Sequence, residues 1–338
     1  MIKNPLLFNF SASYSGGGFK RLYAYAKWFN QQGGAFFLIH PRCEFLIKEF
    51  SSNQFFIVKQ SKIQRLLHDT AYLKDIQKAI GVPDLYYAYG IPIYFRLGKK
   101  NWFHLSNVLP LSPWSAPLSW IDRIKLTLLG SRIKKNFKHA DVISVESQSS
   151  LMFIGADYLA NSVVSVNGSD DELSSLQETP IEERENIAVV VGTYRYKMLE
   201  EAYVIFNQLR KRNDLLTLVI IGDEKKIPLS IRKDIGVIVT GVLPQPEVIA
   251  YLRKAKYYIS TTCIENSYNA AAEGIFLAKE SYISDIGPHR ELLADFPFDR
   301  LDINQGKRSI LHVKSELISS KYLKPWYDVV TEMLDHIS

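Results

Sequence analysis

Short apolar runs alternate with longer amphipathic stretches through the first half of the 338-residue chain. Runs of four or five apolar residues are typical of buried strands, whereas apolar residues at helical spacing, as in 19–32, predict an amphipathic helix. Strands separated by helices predict a parallel sheet covered on both faces. The predicted strands are 6–10, 35–39, 54–58, 85–89, 102–105, 142–145 and 163–166, and the predicted helices are 19–32, 63–80 and 121–139.

The same alternation restarts after a polar, acidic stretch at 169–185, which is typical of a linker. Strands are predicted at 187–191, 216–221, 236–240, 257–259 and 281–284, and helices at 199–212, 246–255, 269–278 and 289–294. A last helix is predicted at 317–337, interrupted at Pro325. We therefore expect an N-terminal domain at 1–168, a linker at 169–185, a C-terminal domain at 186–312, and a final helix within 313–338 that can pack back onto the first domain.

Composition narrows the class of protein. A hydrophobic fraction of 47% and a charged fraction of 22% are ordinary for a soluble protein with a sizeable core. The two cysteines, Cys43 and Cys263, make no disulfide framework, and the sequence shows neither a signal peptide nor an apolar membrane span, so we expect a cytoplasmic protein. A net charge of +6 indicates an anionic partner, whether phosphate, nucleic acid or anionic lipid.

The stretch 259–274 is the main candidate for chemistry. An apolar run gives way to small hydroxylated residues, then to Glu265, and then to a helix-forming run that contains Glu273. Asn266 or Ser267 can cap this helix, and the remaining N–H groups of its first turn can bind an anion. The two carboxylates, with backbones at most roughly 12 Å apart, can flank a sugar and a ribose joined by a diphosphate. The alternative is a loop carboxylate and a solvated helix position, because this spacing alone also arises by chance.

Residues 264–274 and 279–291 resemble the donor-site signature of retaining GT-B glycosyltransferases of family 4. The resemblance implies an α/β GT-B fold, in which two Rossmann-like domains with parallel sheets face each other across a cleft. It also implies that Glu265 holds hydroxyls of the transferred sugar and that Glu273 holds the ribose. The chain departs from the family's glycine-containing loop between these residues, so sugar preference is expected to depend on Asn266, Ser267, Tyr268 and Asn269.

A second similarity to this family lies at 189–197, where a strand ends at Gly192 and two cations follow. Cations beside a departing nucleoside diphosphate stabilise the charge that develops on it. Lys197 matches the family's lysine, whereas Thr193 stands where the family has arginine, so Arg195 is the expected substitute. The alternative is a pair of solvated charges, although cations at the start of a helix oppose its dipole and so favour a ligand.

Glycine turns complete the predicted donor site in the second half. Gly222 and Gly241 each follow a strand, and the turn at Gly241 and Val242 resembles the one that presents backbone groups to the nucleobase. Glycine permits the close approach of backbone to a flat ring. Plain turn glycines are the alternative.

The first half offers four further candidates. The glycine loop that contains Gly17 and Gly18 opens a helix after the first strand, where the family has a loop near the donor phosphate or the acceptor. His104 resembles the family's residue that touches the transferred sugar, and Asn107 follows it. A lone histidine is also common as a structural residue.

Missing motifs are informative as well. The sequence contains no Asp-x-Asp pair and no P-loop, so we expect neither a metal site nor a cofactor and no ATPase or kinase activity. The resemblance implies transfer on one face of the sugar, with the leaving diphosphate helping to deprotonate the acceptor and without a protein nucleophile.

The stretch 120–138 carries six cations among aliphatic residues at helical spacing. It can lie on an anionic membrane surface, at the inner face of the cytoplasmic membrane. The alternative is a helix that covers the first sheet with its charges in water.

The resemblance to family 4, together with the missing metal motif, implies a retaining, metal-independent glycosyltransferase. The expected donor is a UDP- or GDP-sugar, and the expected acceptor is a glycan or a polyprenyl-linked glycan in bacterial O-antigen, capsule or lipopolysaccharide assembly; no nucleic-acid partner is expected. The alternatives are a nucleotide-sugar 2-epimerase of the same fold and a non-catalytic partner in glycan assembly.

Overall fold

The computed structural model describes residues 5–59, 70–169, 184–303, 308–314 and 324–337. The chain divides into two units, of which the first comprises Met1–Leu111, Lys125–Gly168 and Lys324–Ser338, and the second comprises Ser112–Ile124 and Ser169–Leu323. Parts of three predicted segments, namely 63–69, 170–183 and 317–323, lie outside the described residues.

The first unit contains a sheet of seven strands in the order β3-β2-β1-β4-β5-β6-β7. Every neighbouring pair in it is parallel, as the alternation of strands and helices predicts. The strands are β1 (Leu6–Phe10), β2 (Phe36–Ile39), β3 (Gln54–Ile57), β4 (Leu85–Tyr89), β5 (Lys100–His104), β6 (Val142–Val145) and β7 (Ser162–Val164). The helices of this unit are α1 (Gly16–Gln31), α2 (Leu46–Glu49) and α3 (Ala71–Ile80), and α10 (Trp326–Asp335) joins it from the end of the chain. Helix α4 (Trp120–Asn136) crosses the boundary, with its residues up to Ile124 in the second unit and those from Lys125 onward in the first.

Aromatic side chains fill the core of the first unit. The ring of Phe8 contacts the rings of Tyr25, Phe37 and Tyr87, with centroids 5.2 to 5.7 Å apart. Strands β1 and β4 are buried at every position, as expected when helices cover both faces of a parallel sheet. Val330 and Met333 of α10 belong to the same core cluster, so the final helix contributes to the interior of this unit.

The second unit contains a sheet of seven strands in the order β10-β9-β8-β11-β12-β14-β13. Strands β8 to β12 run parallel, but β14 is antiparallel to both β12 and β13. The strands are β8 (Glu185–Val191), β9 (Thr217–Ile221), β10 (Val237–Gly241), β11 (Ala255–Ser260), β12 (Glu280–Ser284), β13 (Asp299–Ile303) and β14 (Arg308–Lys314). The helices are α5 (Leu199–Arg210), α6 (Leu229–Arg232), α7 (Gln245–Lys254), α8 (Asn269–Leu277) and α9 (Gly287–Leu292).

The second sheet is parallel as predicted except at one edge, where the structure adds two antiparallel strands, β13 and β14, that the sequence analysis did not predict. Strands β13 and β14 pair in antiparallel register from Asp299 opposite His312 to Ile303 opposite Arg308. Polar and charged residues interrupt both segments, so neither has the continuous apolar run by which the other strands were recognised. Pairing with β12 gives the segment 308–314 its strand conformation.

Strand order reverses once in the parallel part of each sheet, between β1 and β4 and between β8 and β11. The chain leaves the two strands at such a point in opposite directions, so their carboxyl ends border a crevice, the usual ligand site of α/β proteins. None of the helices in the described part of the chain is long and apolar enough to span a lipid bilayer.

Substitution of Gly274 by alanine should destabilise the second unit. A Cβ atom built on Gly274 lies 2.2 Å from Cδ1 of Tyr258, whose side chain is 1% exposed, so the ring or the helix must move. We expect a loss of about 2 kcal/mol and a melting temperature lower by several degrees, measured by circular dichroism. Gly17→Ala is the control, because the atom nearest to its Cβ is 3.7 Å away; equal melting temperatures for the two variants would contradict the packing argument.

Candidate functional site

The central feature of the second unit is an ion pair at its strand-order reversal. Lys197 lies in the loop that follows β8, and Glu265 lies in the loop that follows β11. The ammonium Nζ of Lys197 is 2.5 Å from Oε1 of Glu265, and the two side chains are only 14% and 21% exposed. The structure thus brings together two residues 68 positions apart that the sequence selected for one site.

Hydrogen bonds tie the two loops to each other. The hydroxyl of Thr261 donates to the carbonyls of Lys197 and Met198, at 3.0 and 2.8 Å, and the hydroxyl of Thr262 donates to the carbonyl of Tyr196 at 3.2 Å. Thr261 and Thr262 are themselves buried. Because these bonds hold the backbone on both sides of Lys197, the direction of its side chain is set by the scaffold as well as by the carboxylate.

Met198 adopts a left-handed backbone conformation between Lys197 and helix α5. Its φ is 51°, and it is the one non-glycine residue with positive φ in the described ranges. Such a conformation costs energy for a residue with a Cβ atom, and outliers of this kind concentrate at functional sites. The turn lets the chain enter α5 directly after it has presented Lys197.

Glu273 occupies the second turn of α8 and is half-buried. Burial raises the pKa of Tyr258, and the nearby charges of Glu265 and Glu273 raise it further. Both predicted donor-site carboxylates therefore lie within electrostatic reach of the same ring. Gly274 packs against that ring, which brings this turn of the helix close to the strand.

His289 is a site residue to which the sequence argument assigned no role, although it lies in the stretch 279–291 that carries the family resemblance. It is 1% exposed in α9, and its Nδ1 lies 2.7 Å from the carbonyl oxygen of Ser284. Burial is the main cause that lowers the pKa of His289 to about 4, and the charge of Lys197 also lowers it. The hydrogen bond to the Ser284 carbonyl and the charge of Glu265 act in the opposite direction and raise this pKa. The ring is therefore neutral near pH 7, Nδ1 carries the hydrogen, and it lies close to the ion pair.

The loop between the two carboxylates is well packed. Asn266 is 5% exposed, and Tyr268 is half-buried at the position before α8. The hydroxyl of Ser267 accepts the N–H of Asn269 at 3.4 Å and lies 3.0 Å from its Oδ1. As expected, a side chain of this loop takes an N–H of the first helical turn.

The remaining predicted donor residues surround the ends of β8, β9 and β10. Thr193 is 5% exposed, its hydroxyl donates to the carbonyl of Asp223 at 3.1 Å, and it packs directly on Gly222. Arg195 is exposed, and Val242 is 79% exposed. Positive φ values of 92° at Gly192 and 77° at Gly241 explain why glycine ends these strands.

In the first unit, two of the predicted residues, Gly18 and His104, lie against Tyr89 at the end of β4. The predicted glycine loop forms the first turn of α1, where Gly17 is exposed. A Cβ atom on Gly18 would lie 2.8 Å from the ring of Tyr89, so glycine permits close packing there. The ring of His104 stacks on the same tyrosine, with centroids 4.9 Å apart.

His104 is fully buried, and both of its ring nitrogens have partners. Nδ1 lies 2.7 Å from the hydroxyl of Ser144, and Nε2 lies 3.2 Å from Oε1 of Glu146. Burial, together with the charge of Arg21, lowers the pKa of His104 well below its usual value. The N–H of Trp102 donates to the Ser144 hydroxyl, which leaves that hydroxyl's hydrogen for Nδ1. Neutral His104 then donates from Nε2 to Glu146.

Glu146 and Arg21 are buried charged residues that the sequence argument missed. Glu146 is 3% exposed and accepts a hydrogen bond from Tyr89, and Arg21 donates to the carbonyls of Ser165 and Val166. The signal available in the sequence was a charge inside or directly after an apolar run. Asn107, by contrast, is exposed, and its Oδ1 accepts the N–H of Leu109 at 2.9 Å.

No group of three or more histidine, cysteine, aspartate or glutamate side chains suited to a metal ion occurs in the part of the chain that the structure describes.

Comparison with known proteins finds similar solved structures but no similar sequence family. No protein-family model matches the sequence, and no curated protein sequence matches it. HepE of Anabaena, solved in complex with UDP-glucose, is 15% identical over 85% of this chain and 82% of that chain, with a TM-score of 0.56. Sucrose-phosphate synthase of Thermosynechococcus elongatus is 10% identical over 86% of this chain and 84% of that chain, with a TM-score of 0.61.

A Listeria monocytogenes protein assigned to the UDP-N-acetylglucosamine 2-epimerases is also similar, with 10% identity over 86% of this chain and 81% of that chain and a TM-score of 0.53. The chain has the GT-B fold. Its two seven-stranded α/β sheets correspond to the two Rossmann-like domains of that fold. Within the GT-B framework, the pair Lys197–Glu265 lies in the second of these domains.

The strain at Met198 can be measured by comparing two truncations. Met198→Ala and Met198→Gly both remove the side chain, but only glycine adopts a positive φ without cost. We expect the glycine variant to be about 1 kcal/mol more stable than the alanine variant in urea denaturation. Equal stability would show that this backbone is not strained.

Acidification should reveal the burial of His289. Between pH 6.5 and about 4, the unfolded chain binds a proton at His289 that the folded chain does not bind. The free energy of unfolding should therefore fall as pH is lowered through this window, by up to about 1.4 kcal/mol per pH unit for this residue.

Urea denaturation of His289→Gln should show a shallower fall than the wild type over the same window. The exposed His336→Gln is the control and should follow the wild type. Parallel curves for the wild type and His289→Gln would contradict the burial of a neutral ring.

Proposed function

We propose that the chain is a retaining glycosyltransferase, similar to those of family 4, that transfers a sugar from a UDP- or GDP-sugar to a glycan or polyprenyl-linked glycan. The observation that carries this proposal is the Lys197–Glu265 pair at the strand-order reversal of the second sheet. A ligand there meets a cation, a carboxylate and the N-terminus of α8 together. The UDP-glucose complex of HepE, which has a similar fold, supports a nucleotide sugar as the ligand.

The Lys197–Glu265 pair suits a sugar diphosphate because the two halves of that ligand, the diphosphate and the sugar, need partners of opposite charge. The diphosphate is anionic and binds an ammonium and helix N–H groups, whereas sugar hydroxyls donate hydrogen bonds to a carboxylate. On binding, Lys197 exchanges part of its contact with Glu265 for a phosphate oxygen, and Glu265 accepts sugar hydroxyls. Glu273, one further turn into α8, is then placed for the ribose.

In the reaction, the bond from the anomeric carbon to the phosphate oxygen breaks, and a bond to the acceptor oxygen forms on the same face. The acceptor's proton passes to the departing diphosphate, so the step needs no protein nucleophile. Lys197 stabilises the charge that builds up on the leaving group. We propose that the step needs no metal ion and that it serves O-antigen, capsule or lipopolysaccharide assembly in the bacterial cytoplasm.

The first unit is the proposed acceptor side. His104 is enclosed by Ser144 and Glu146, so we propose that it positions Tyr89 and Glu146 at the sheet edge. Gly17, in the exposed first turn of α1, is the proposed backbone contact there.

A nucleotide-sugar 2-epimerase is the second candidate, because a protein assigned to that class shares the fold over 86% of this chain. Release of free nucleoside diphosphate, measured with and without a glycan acceptor, separates the two activities. Acceptor-dependent release supports transfer, whereas an epimerised nucleotide sugar formed without an acceptor supports epimerisation.

Calorimetry with UDP- and GDP-sugars tests donor binding directly. Glu265→Gln and Glu273→Gln should weaken binding by about 10- to 100-fold, because each removes a charged hydrogen-bond acceptor. Glu247→Gln, on the exposed start of α7, is the control. If no nucleotide sugar binds the folded wild type, the proposal is wrong.

Lys197→Ala should lower kcat by about 100- to 1,000-fold, a larger effect than the one on donor binding, because the charge that Lys197 stabilises is greatest on the departing diphosphate. Lys211→Ala, an exposed lysine just after α5, is the control. Assays with and without a chelator test metal independence. Unchanged turnover in Lys197→Ala would remove this residue from the mechanism.

A further inference from the structure

The first three turns of helix α4 expose an apolar surface, which we call the α4 face: Trp120, Ile121, Ile124 and Leu128. Trp120, Ile124 and Leu128 follow one another at four-residue spacing, so they share one side of the helix. The exposed fractions are 70% for Trp120, 51% for Ile124 and 58% for Leu128. Such a row of large apolar side chains in water marks an interaction surface.

Trp114 extends this surface from the segment before the helix. It is 73% exposed, and the guanidinium of Arg123 lies 4.8 Å from the centre of its ring. Arg123 also approaches the carbonyl of Ala116 at 3.4 Å. The indole is thus held against the helix by a cation while most of its area stays in solvent.

The opposite side of the helix is what anchors it. Gly130 and Ile133 are its buried residues, and a Cβ atom on Gly130 would lie 2.0 Å from the carbonyl oxygen of Pro110. The buried residues of helix α4 therefore lie after the last residue of the α4 face, Leu128. The α4 face needs no rearrangement of the helix to meet a partner.

Charge around the α4 face is strongly positive. Residues 120–138 contain six lysines and arginines but one carboxylate, Asp122. That carboxylate is engaged at the start of the helix, where its Oδ2 accepts a hydrogen bond from the Ser119 hydroxyl at 2.6 Å. The exposed cations are Lys125, Lys134, Lys135 and Lys138.

We propose that the α4 face binds an anionic membrane surface, with Trp114 and Trp120 at the level of the lipid headgroups. An exposed row of apolar side chains with tryptophans, next to lysines, matches the residue chemistry found at the surface of anionic membranes. A second copy of the chain would bring two surfaces of like charge together, which opposes self-association. The proposal does not depend on the sugar-transfer reaction.

Sedimentation of the full chain with lipid vesicles tests the proposal. We expect binding to phosphatidylcholine vesicles that contain phosphatidylglycerol, weaker binding at higher salt, and little binding to pure phosphatidylcholine. Lys125→Ala combined with Lys135→Ala should weaken partitioning by about 30-fold, as expected for two lost lysine–headgroup interactions. Ile124→Glu combined with Leu128→Glu should abolish it.

Leu215→Glu is the matched control, because Leu215 is also exposed, at 74%, but lies outside the α4 face. Circular dichroism checks that each variant is folded, and quenching of tryptophan fluorescence by brominated lipid reports insertion. Equal vesicle binding by the wild type and the Ile124/Leu128 variant overturns the proposal, as does the absence of binding by the folded wild type. A dimer that the same variant dissociates, without vesicle binding, assigns the α4 face to a second copy and also overturns it.

Discussion

The pairing of Lys197 with Glu265 is the interaction on which the proposed chemistry of the second unit depends. Two largely buried charges are stable only when their partners and hydrogen bonds are well placed. Here the threonine bonds between the loops supply the placement, and the left-handed turn at Met198 supplies the direction. The ion pair joins the ends of β8 and β11, which are neighbours in the sheet although helices and two other strands separate them in the chain.

The two units use buried charge in different ways. In the second unit, Lys197 and Glu265 keep part of their surface in solvent, so a ligand can replace one partner by another. In the first unit, Glu146 and His104 are almost fully enclosed, and their hydrogen bonds converge on a carboxylate next to Tyr89. The partly exposed pair in the second unit is suited to binding and releasing an anion. The enclosed carboxylate in the first unit is suited to holding a sheet edge in one geometry.

Some of the predicted site residues have structural contacts of their own. Thr193 packs on Gly222 and bonds to the backbone of Asp223, and Asn107 closes its own turn. Because these side chains already bond to the protein, their proposed contacts with a donor are argued only from where they lie, after the ends of strands. Arg195 and Val242, which are exposed, have side chains directly accessible to a ligand.

The sequence by itself determined the repeated alternation of strand and helix, because runs that are buried on both faces must be apolar throughout. It also selected Glu265 as a candidate, from the change of strand into loop and helix, and Lys197, from the resemblance of its stretch to the family 4 glycosyltransferases. Tertiary structure alone decided the rest. The segment 308–314 is a strand through its pairing with β12, and the roles of His289 and Glu146 depend on partners from other parts of the fold. Hydrogen bonds and desolvation depend on three-dimensional neighbours, which local sequence patterns do not specify.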